Sequence, residues 1–269
     1  MRLALYLVIS LAVGYSATPV AATGVRSIPD SMTGSGALTI LTLQASSTDG
    51  PTPYPKAERD WPGVGVIRVF DFMIQNRQFF WSQRPVNQRA VVFVGDSNVS
   101  GWTTLKDDFA PLRVANLGIG GDVSRGVLFR LKEDVIELNP KAVVILVGFN
   151  DLSAKEDLSA FTSNLKSIVK MLRNFNEHLP IVLCKLPPGD EPPVFGVSRA
   201  DRLDLNSRLD GLSTSDPNLM MLDLYHILES SDGSFDPNNF YEDKLHISPA
   251  GYKKFHDALV PIFRRLQVE

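Results

Sequence analysis

Four short segments carry side chains suited to breaking a covalent bond. They are Gly95-Asp96-Ser97, Gly120-Gly121-Asp122, Gly148-Phe149-Asn150-Asp151 and Asp243-Lys244-Leu245-His246. Acyl transfer needs a nucleophile, a base, a group that orients the base, and donors for an oxyanion. Ser97 can be the nucleophile and His246 the base. Asp243 precedes His246 by three residues, so one turn of chain can bring its carboxylate to the imidazole. That contact would fix the tautomer and stabilise the imidazolium. Gly121 exposes an N–H with no side chain beside it, and Asn150 offers an amide donor. With the N–H of Ser97 they make three donors for one oxyanion, each worth about two to three orders of magnitude in rate.

Each segment also has an ordinary structural reading. Ser97 or Asp96 can simply cap a helix. The glycines around Gly121 can serve a tight turn, and they do not form the GxGxxG dinucleotide fingerprint. Asn150 or Asp151 can cap the helix that follows. His246 can flank the helix that begins near Pro249.

The surrounding pattern decides between these readings. Val91-Val92-Phe93-Val94 is a short apolar run rich in β-branched residues, the mark of a buried strand. Gly95-Asp96-Ser97 stops it and can start a helix, which would put Ser97 near free N–H groups and the positive end of the helix dipole. Further strands are predicted over 113–117, 142–147, 181–185 and 219–224, the first covering 90–94. Helical patterns lie over 64–84, 102–109, 124–138, 158–175, 199–212 and 250–266. Alternation of this kind implies an α/β fold, a parallel sheet with right-handed crossovers and helices on both faces. All four segments then follow strands at the carboxyl edge of one sheet, where open α/β sheets bind ligands.

The chain has 269 residues, 44% hydrophobic and 21% charged, enough for one sizeable core plus extras. A net charge of -3 gives no electrostatic case for nucleic acid. One cysteine, Cys184, excludes an internal disulfide, and it sits in an apolar strand pattern. The four histidines form no metal-ligand spacing, so neither a metal nor a cofactor is expected. His178, His226 and His256 read as surface or helix-end residues. Arg125, Arg199 and Arg202 read as surface salt-bridge formers. The proline-rich run over 187–193 reads as a loop on the substrate rim.

The amino terminus begins Met1-Arg2 and continues with eleven largely apolar residues, then Val20-Ala21-Ala22. This reads as a signal peptide over 1–22 and an exported, secreted or periplasmic, protein. The apolar run is short for a transmembrane span. Residues 23–60 are rich in Ser, Thr, Gly and Pro and read as a linker or extension, with a short strand pattern over 37–43. Residues 61–88 are expected to form a helix packing on the core, and 89–269 the main domain.

The four segments together resemble the motif blocks of the SGNH hydrolases, also called GDSL-type esterases. The stretch over 116–131 is most similar to the branch holding platelet-activating-factor acetylhydrolase-like enzymes and carbohydrate acetylesterases. The resemblance covers about two thirds of the chain. It implies a three-layer α/β/α sandwich of flavodoxin-like topology with a five-stranded parallel sheet and no metal. It also implies Ser97 as nucleophile, His246 as base, Asp243 as its partner, and Gly121 and Asn150 completing the oxyanion hole with Ser97. Two positions depart from the family pattern, Asn98 after the serine and Phe149 before Asn150. Both are expected to border the site and to bear on acyl-chain and alcohol preference.

The resemblance implies a serine esterase acting on short acyl groups, foremost acetyl, of a carbohydrate or similar alcohol. The alternatives are a lysophospholipase or platelet-activating-factor-like deacetylase, an O-acyltransferase using the same triad, and a non-catalytic carbohydrate binder. The intact Ser97, Asp243 and His246 argue against the last. The sequence leaves the oligomeric state open.

Overall fold

The computed structural model describes residues 50–212 and 216–268. The signal segment over 1–22, residues 23–49 of the extension and the strand pattern over 37–43 lie outside the described residues.

In chain order the body comprises α1 (Asp71–Ser82), α2 (Arg84–Asn87), β1 (Val91–Gly95), α3 (Ser97–Ser100), α4 (Leu105–Asp108), β2 (Val114–Gly118) and α5 (Ser124–Arg130). There follow β3 (Ala142–Leu146), α6 (Phe149–Ser153), α7 (Leu158–Phe175), β4 (Ile181–Cys184), α8 (Arg199–Asp210), β5 (Leu219–Leu222), α9 (Leu224–Leu228) and α10 (Pro249–Arg265). The sheet is five-stranded, ordered β2-β1-β3-β4-β5, and every pairing is parallel. This is the α/β/α architecture expected, and each strand falls within a residue or two of its predicted range.

β1 lies between β2 and β3 because all its residues are apolar or glycine and buried on both faces. Right-handed crossovers put α5, α7 and α8, which link strands in one direction across the sheet, on one face. The β1-to-β2 link runs the other way and falls on the opposite face, joined there by α10. On that face Phe93 packs against Trp102, Phe109 and Phe263, with ring centroids 5.5–6.4 Å apart. Register aligns Gly95 with Gly118 and Leu146, so the ends of β1, β2 and β3 finish side by side. A Cβ on Gly95 would stand 1.8 Å from the Leu146 carbonyl oxygen, so only glycine permits this approach.

Three elements differ from the sequence reading. The helix expected over 64–84 begins only at Asp71. Residues 61–65 before it bend and 66–70 form no helix, and side chains take amides there: Val64 N–H donates to Asn164 Oδ1 at 3.1 Å, and Val66 N–H donates to the Glu156 carboxylate. The helix expected over 124–138 is α-helical only to Arg130. It widens to a π-turn over Leu131–Val135, then closes as a 3-10 turn over Ile136–Leu138. Arg130 and Asp134 on this stretch are buried and paired, which sets its path. Residues 51–60, whose composition suggests a linker, pack on the body. Tyr54 stacks on Trp61 and tilts against Phe129, and Trp61 Nε1 donates to the Pro55 carbonyl.

Candidate active site

The turn after β1 presents Ser97 as the first residue of α3. Asp96 caps that helix, accepting a bond from Asn98 N–H at 3.0 Å. Fully buried, Asp96 has its carboxyl pushed up to about 7 by loss of hydration, which the Asn98 bond only partly offsets.

His246 arrives from the far end of the chain. Its Nε2 lies 2.9 Å from Ser97 Oγ and its Nδ1 2.5 Å from Asp243 Oδ2. Asp243 Oδ1 accepts from Leu245 N–H at 3.0 Å and His246 N–H at 2.9 Å. Burial alone would raise the Asp243 carboxyl, but the bonds from His246 and Leu245 outweigh it and hold the group below the usual carboxylate range. The turn is closed by a Tyr241 N–H bond to the His246 carbonyl and by a Lys244–Asp190 ion pair at 2.6 Å. That pair ties the proline-rich rim loop to the base.

The turn after β2 runs against the nucleophile: a Cβ on Gly120 would stand 4.0 Å from Ser97 Cβ. Gly121 has φ +78°, a left-handed conformation that glycine adopts without cost. Among the described residues its N–H has no hydrogen-bond partner. Asn150, on the turn after β3, donates from Nδ2 to the Asp122 carbonyl at 3.0 Å, leaving its second N–H free. The turns that carry Gly121 and Asn150 thus meet at Asp122, with Gly120 beside Ser97, and Ser97, His246 and Asp243 are joined by hydrogen bonds.

Buried charge supports this side. Asp151 accepts from Ser124 N–H at 3.1 Å and Ser124 Oγ at 2.6 Å, so it bridges two turns instead of capping its own helix. Burial pushes its carboxyl up to about 6 against those bonds. Asp122 Oδ2 pairs with Arg130 Nε at 2.8 Å, and Arg130 Nη2 donates to the Gly95 carbonyl at 3.2 Å. Arg130 and Arg77 share Asp134, at 3.6 and 3.2 Å. Sequence reasoning missed this network, although the i,i+4 spacing of Arg130 and Asp134 was a usable signal.

Other expectations change. Arg125 and Arg202 are buried; Arg125 pairs with the exposed Glu58 carboxylate at 3.2 Å, whereas Arg202 forms no ion pair among the described residues. Arg125 also donates to the carbonyls of Pro62 and Gly65; Arg202 Nη1 donates to that of Pro187, while its buried Nε and Nη2 have no hydrogen-bond partner among the described residues. Arg202 also lies over the Phe149 ring at 4.9 Å, and burial pulls its pKa down to about 10. Asn98 does not line the substrate space. It is 3% exposed, and its Oδ1 accepts from Ile247 N–H at 3.1 Å while its carbonyl accepts from Tyr252 Oη–H at 3.1 Å. His256 is half-buried beside the Phe109 ring, not fully solvated. His178 and His226 are exposed and pair with Glu177 and Asp223. Arg68 is a site neighbour that the sequence did not flag. It donates from Nη1 to Asn150 Oδ1 at 3.1 Å and from Nη2 to Ser153 Oγ at 3.0 Å.

Among the described residues no group of three or more His, Cys, Asp or Glu side chains could hold a metal ion. No helix among them is long and apolar enough to cross a membrane. The site's hydrogen-bonded Ser, His and Asp can pass a proton from hydroxyl to imidazole, and the free N–H groups beside them can bind an oxyanion.

Comparison with known proteins agrees with this chemistry. The model of the GDSL-like lipase/acylhydrolase family matches residues 93–254. Human platelet-activating factor acetylhydrolase IB subunit alpha1 is 33% identical over 232 residues, covering 82% of this chain and 93% of that protein. The rat subunit alpha2 is 30% identical over 183 residues, 66% of this chain and 78% of its own length. Among solved structures, a GDSL-like lipase from Bacteroides thetaiotaomicron superposes with a TM-score of 0.58 at 21% identity, covering 69% of this chain and 97% of that one. The acetylxylan esterase Axe2 from Geobacillus stearothermophilus gives 0.52 at 20% identity, covering 66% and 94%. Both share the fold. The family match over most of the α/β body, with the Ser97 turn and His246 inside it, places the chain in the GDSL-like lipase/acylhydrolase family, as a carboxylic ester hydrolase.

Proposed function

We propose that this esterase removes short acyl groups, foremost acetyl, from a carbohydrate or similar alcohol through a Ser97-His246-Asp243 triad. The observation that carries the reading is the unbroken chain of hydrogen bonds, 2.9 Å from Ser97 to His246 and 2.5 Å from His246 to Asp243. His246 Nε2 takes the Ser97 proton as Oγ attacks the ester carbonyl. Asp243 stabilises the resulting imidazolium. The carbonyl oxygen becomes an oxyanion facing the N–H groups of Ser97 and Gly121 and the free N–H of Asn150. The imidazolium returns the proton to the departing alcohol, and water then takes the acyl group from Ser97.

Two features favour a small acyl group and a flat alcohol. The β3 turn has little spare room: Phe149 is 5% exposed, with Arg202 above its ring and Phe195 at its edge. A Cβ on Gly148 would touch Phe161 and Leu205. On the other flank Phe70 and Phe72 stack at 5.5 Å and stand 48% and 43% exposed. Phe70 reaches within 3.4 Å of the place a Gly121 Cβ would occupy. An exposed flat aromatic pair beside the oxyanion donors suits the C–H face of a sugar ring. The same surface suits an alkyl chain, and the human relative is by name a platelet-activating factor acetylhydrolase, so a lipid alcohol carrying an acetyl ester is the second reading.

The test is an ester series from acetyl to octanoyl, run on wild type and Ser97→Ala. Each methylene without an apolar wall forfeits about 0.8 kcal/mol of burial, so kcat/KM should fall at least about tenfold along the series. Ser97→Ala should lose about four to six orders of magnitude in turnover. A maximum at eight carbons, or a Ser97→Ala enzyme above a tenth of wild-type turnover, contradicts the proposal. Acetate release from acetylated xylan against an acetylated lysophospholipid separates the two alcohols.

A further inference from the structure

The geometry points to Arg68 as a positioning residue that holds Asn150 with its amide nitrogen facing the oxyanion. This rests on the reading of Asn150 as an oxyanion donor. A side-chain amide has a donor end and an acceptor end, and rotation about its last torsion is soft. Flipped, Asn150 would offer an oxygen lone pair to the oxyanion and repel it.

Two contacts forbid the flip. Nδ2 donates to the Asp122 carbonyl at 3.0 Å, and Oδ1 accepts from Arg68 Nη1 at 3.1 Å. A carbonyl can only accept and a guanidinium can only donate. The reversed amide would therefore set oxygen against oxygen and N–H against N–H. The Arg68 charge at the oxygen end also draws electron density away from the amide nitrogen, which strengthens its remaining N–H as a donor. Arg68 grips the same turn a second time through Ser153 Oγ at 3.0 Å, and Ser153 Oγ–H donates to the Asn150 carbonyl at 3.2 Å.

Arg68 does not belong to the α/β core. It lies upstream of residue 93, where the family match begins, on the strap that precedes α1. Bonds elsewhere lock that strap. Val64 exchanges two hydrogen bonds with Asn164, Val66 N–H donates to Glu156, and Arg125 donates to Pro62 and Gly65. With those bonds untouched, replacing Arg68 should leave the strap and α6 in place.

The test uses the full chain with a chromogenic acetyl ester. Arg68→Met should lower kcat roughly tenfold, with KM within about twofold of wild type, because an oxyanion donor acts mainly in the transition state. Asn150→Ala alone should lower kcat about a hundredfold or more. Adding Arg68→Met to Asn150→Ala should then cost less than about twofold, since both act through one group. Guanidinium ion added to Arg68→Ala should restore part of kcat, and Arg68→Lys should retain more activity than Arg68→Met. Equal losses in the two backgrounds, an unchanged kcat, or a loss confined to melting temperature overturns the inference. Ser97→Ala separates the two levels. An inactive Ser97→Ala beside a fully active Arg68→Met sinks Arg68 alone, whereas an active Ser97→Ala sinks the site reading and this inference with it.

Discussion

The two flanks of Ser97 are built in opposite ways. On the base side, the Asp243 and His246 side chains are 47% and 39% exposed and are joined by bonds spanning three residues. On the proposed oxyanion side, Asp122 and Arg130 are at most 1% exposed, and the supporting bonds join segments up to 82 residues apart. The contrast follows from what each flank must do. A base must take up and return protons, so it can stand in water. The proposed oxyanion site must not relax when charge appears, and the buried Asp122 supplies the carbonyl that holds Asn150.

The sharpest way to break the comparison is at Asp243. Asp243→Asn should cut kcat by about four orders of magnitude, because the amide can hold the imidazole in the wrong tautomer. Because the site is half-exposed, the substitution should lower the melting temperature only slightly, by the lost contribution of the Asp243 charge. A loss under tenfold would mean that the ring is oriented by something else.

A smaller effect, of a different kind, is expected from Arg130→Met. It strands Asp122 without its partner and deprives Asp134 of one of its two arginines, in a buried site. Removing one partner of a buried ion pair costs about 3–5 kcal/mol, read as a lower urea midpoint. A cost under 1 kcal/mol would show that the oxyanion flank does not depend on the network.

The smallest effect sharpens the contrast through pH. Asp96 and Asp151 have folded-state values pushed up to about 7 and about 6 by burial, above the usual value near 4 in an unfolded chain. Between those values the folded protein holds protons that the unfolded chain has released, so this contribution to stability falls as pH rises from about 4 to about 7. Asp243 runs the other way: its lowered value stabilises the fold above the usual carboxylate range, and the gain is lost as pH falls through the folded value. Asp96→Asn should therefore gain on wild type as pH rises from 4 to 7, by on the order of 1 kcal/mol per pH unit. Melting curves across that range check it, and a constant offset would contradict it.

The strands were legible because a buried parallel strand must be apolar on both faces, and Val91 to Val94 has no other use. The pairing of Asp243 with His246 was legible because the two sit within one turn, and the structure joins them and Ser97 by hydrogen bonds. Arg68 was not. It stands among Val66, Ile67, Val69 and Phe70, a run that reads as the start of a helix, and its partner is 82 residues away. Nothing local reports that Asn164 and Glu156 will claim the amides of Val64 and Val66. Arg202 misled for a related reason: the Pro187 carbonyl that its guanidinium meets and the Phe149 ring beside it come together only in the folded chain.

Asn98, finally, affects how long the site keeps its shape. Its side chain holds the amide of Ile247, next to His246, while its own carbonyl takes the Tyr252 hydroxyl from α10. The residue after the nucleophile is thus moored to the residue after the base. In the proposed mechanism, once Ser97 carries an acyl group its hydroxyl hydrogen is gone and the direct bond to His246 is lost. The Asn98 mooring does not involve the reacting atoms and persists through that interval. On that proposal His246 waits at the same spot to activate the incoming water, so the second half of the cycle begins with no loop to re-form.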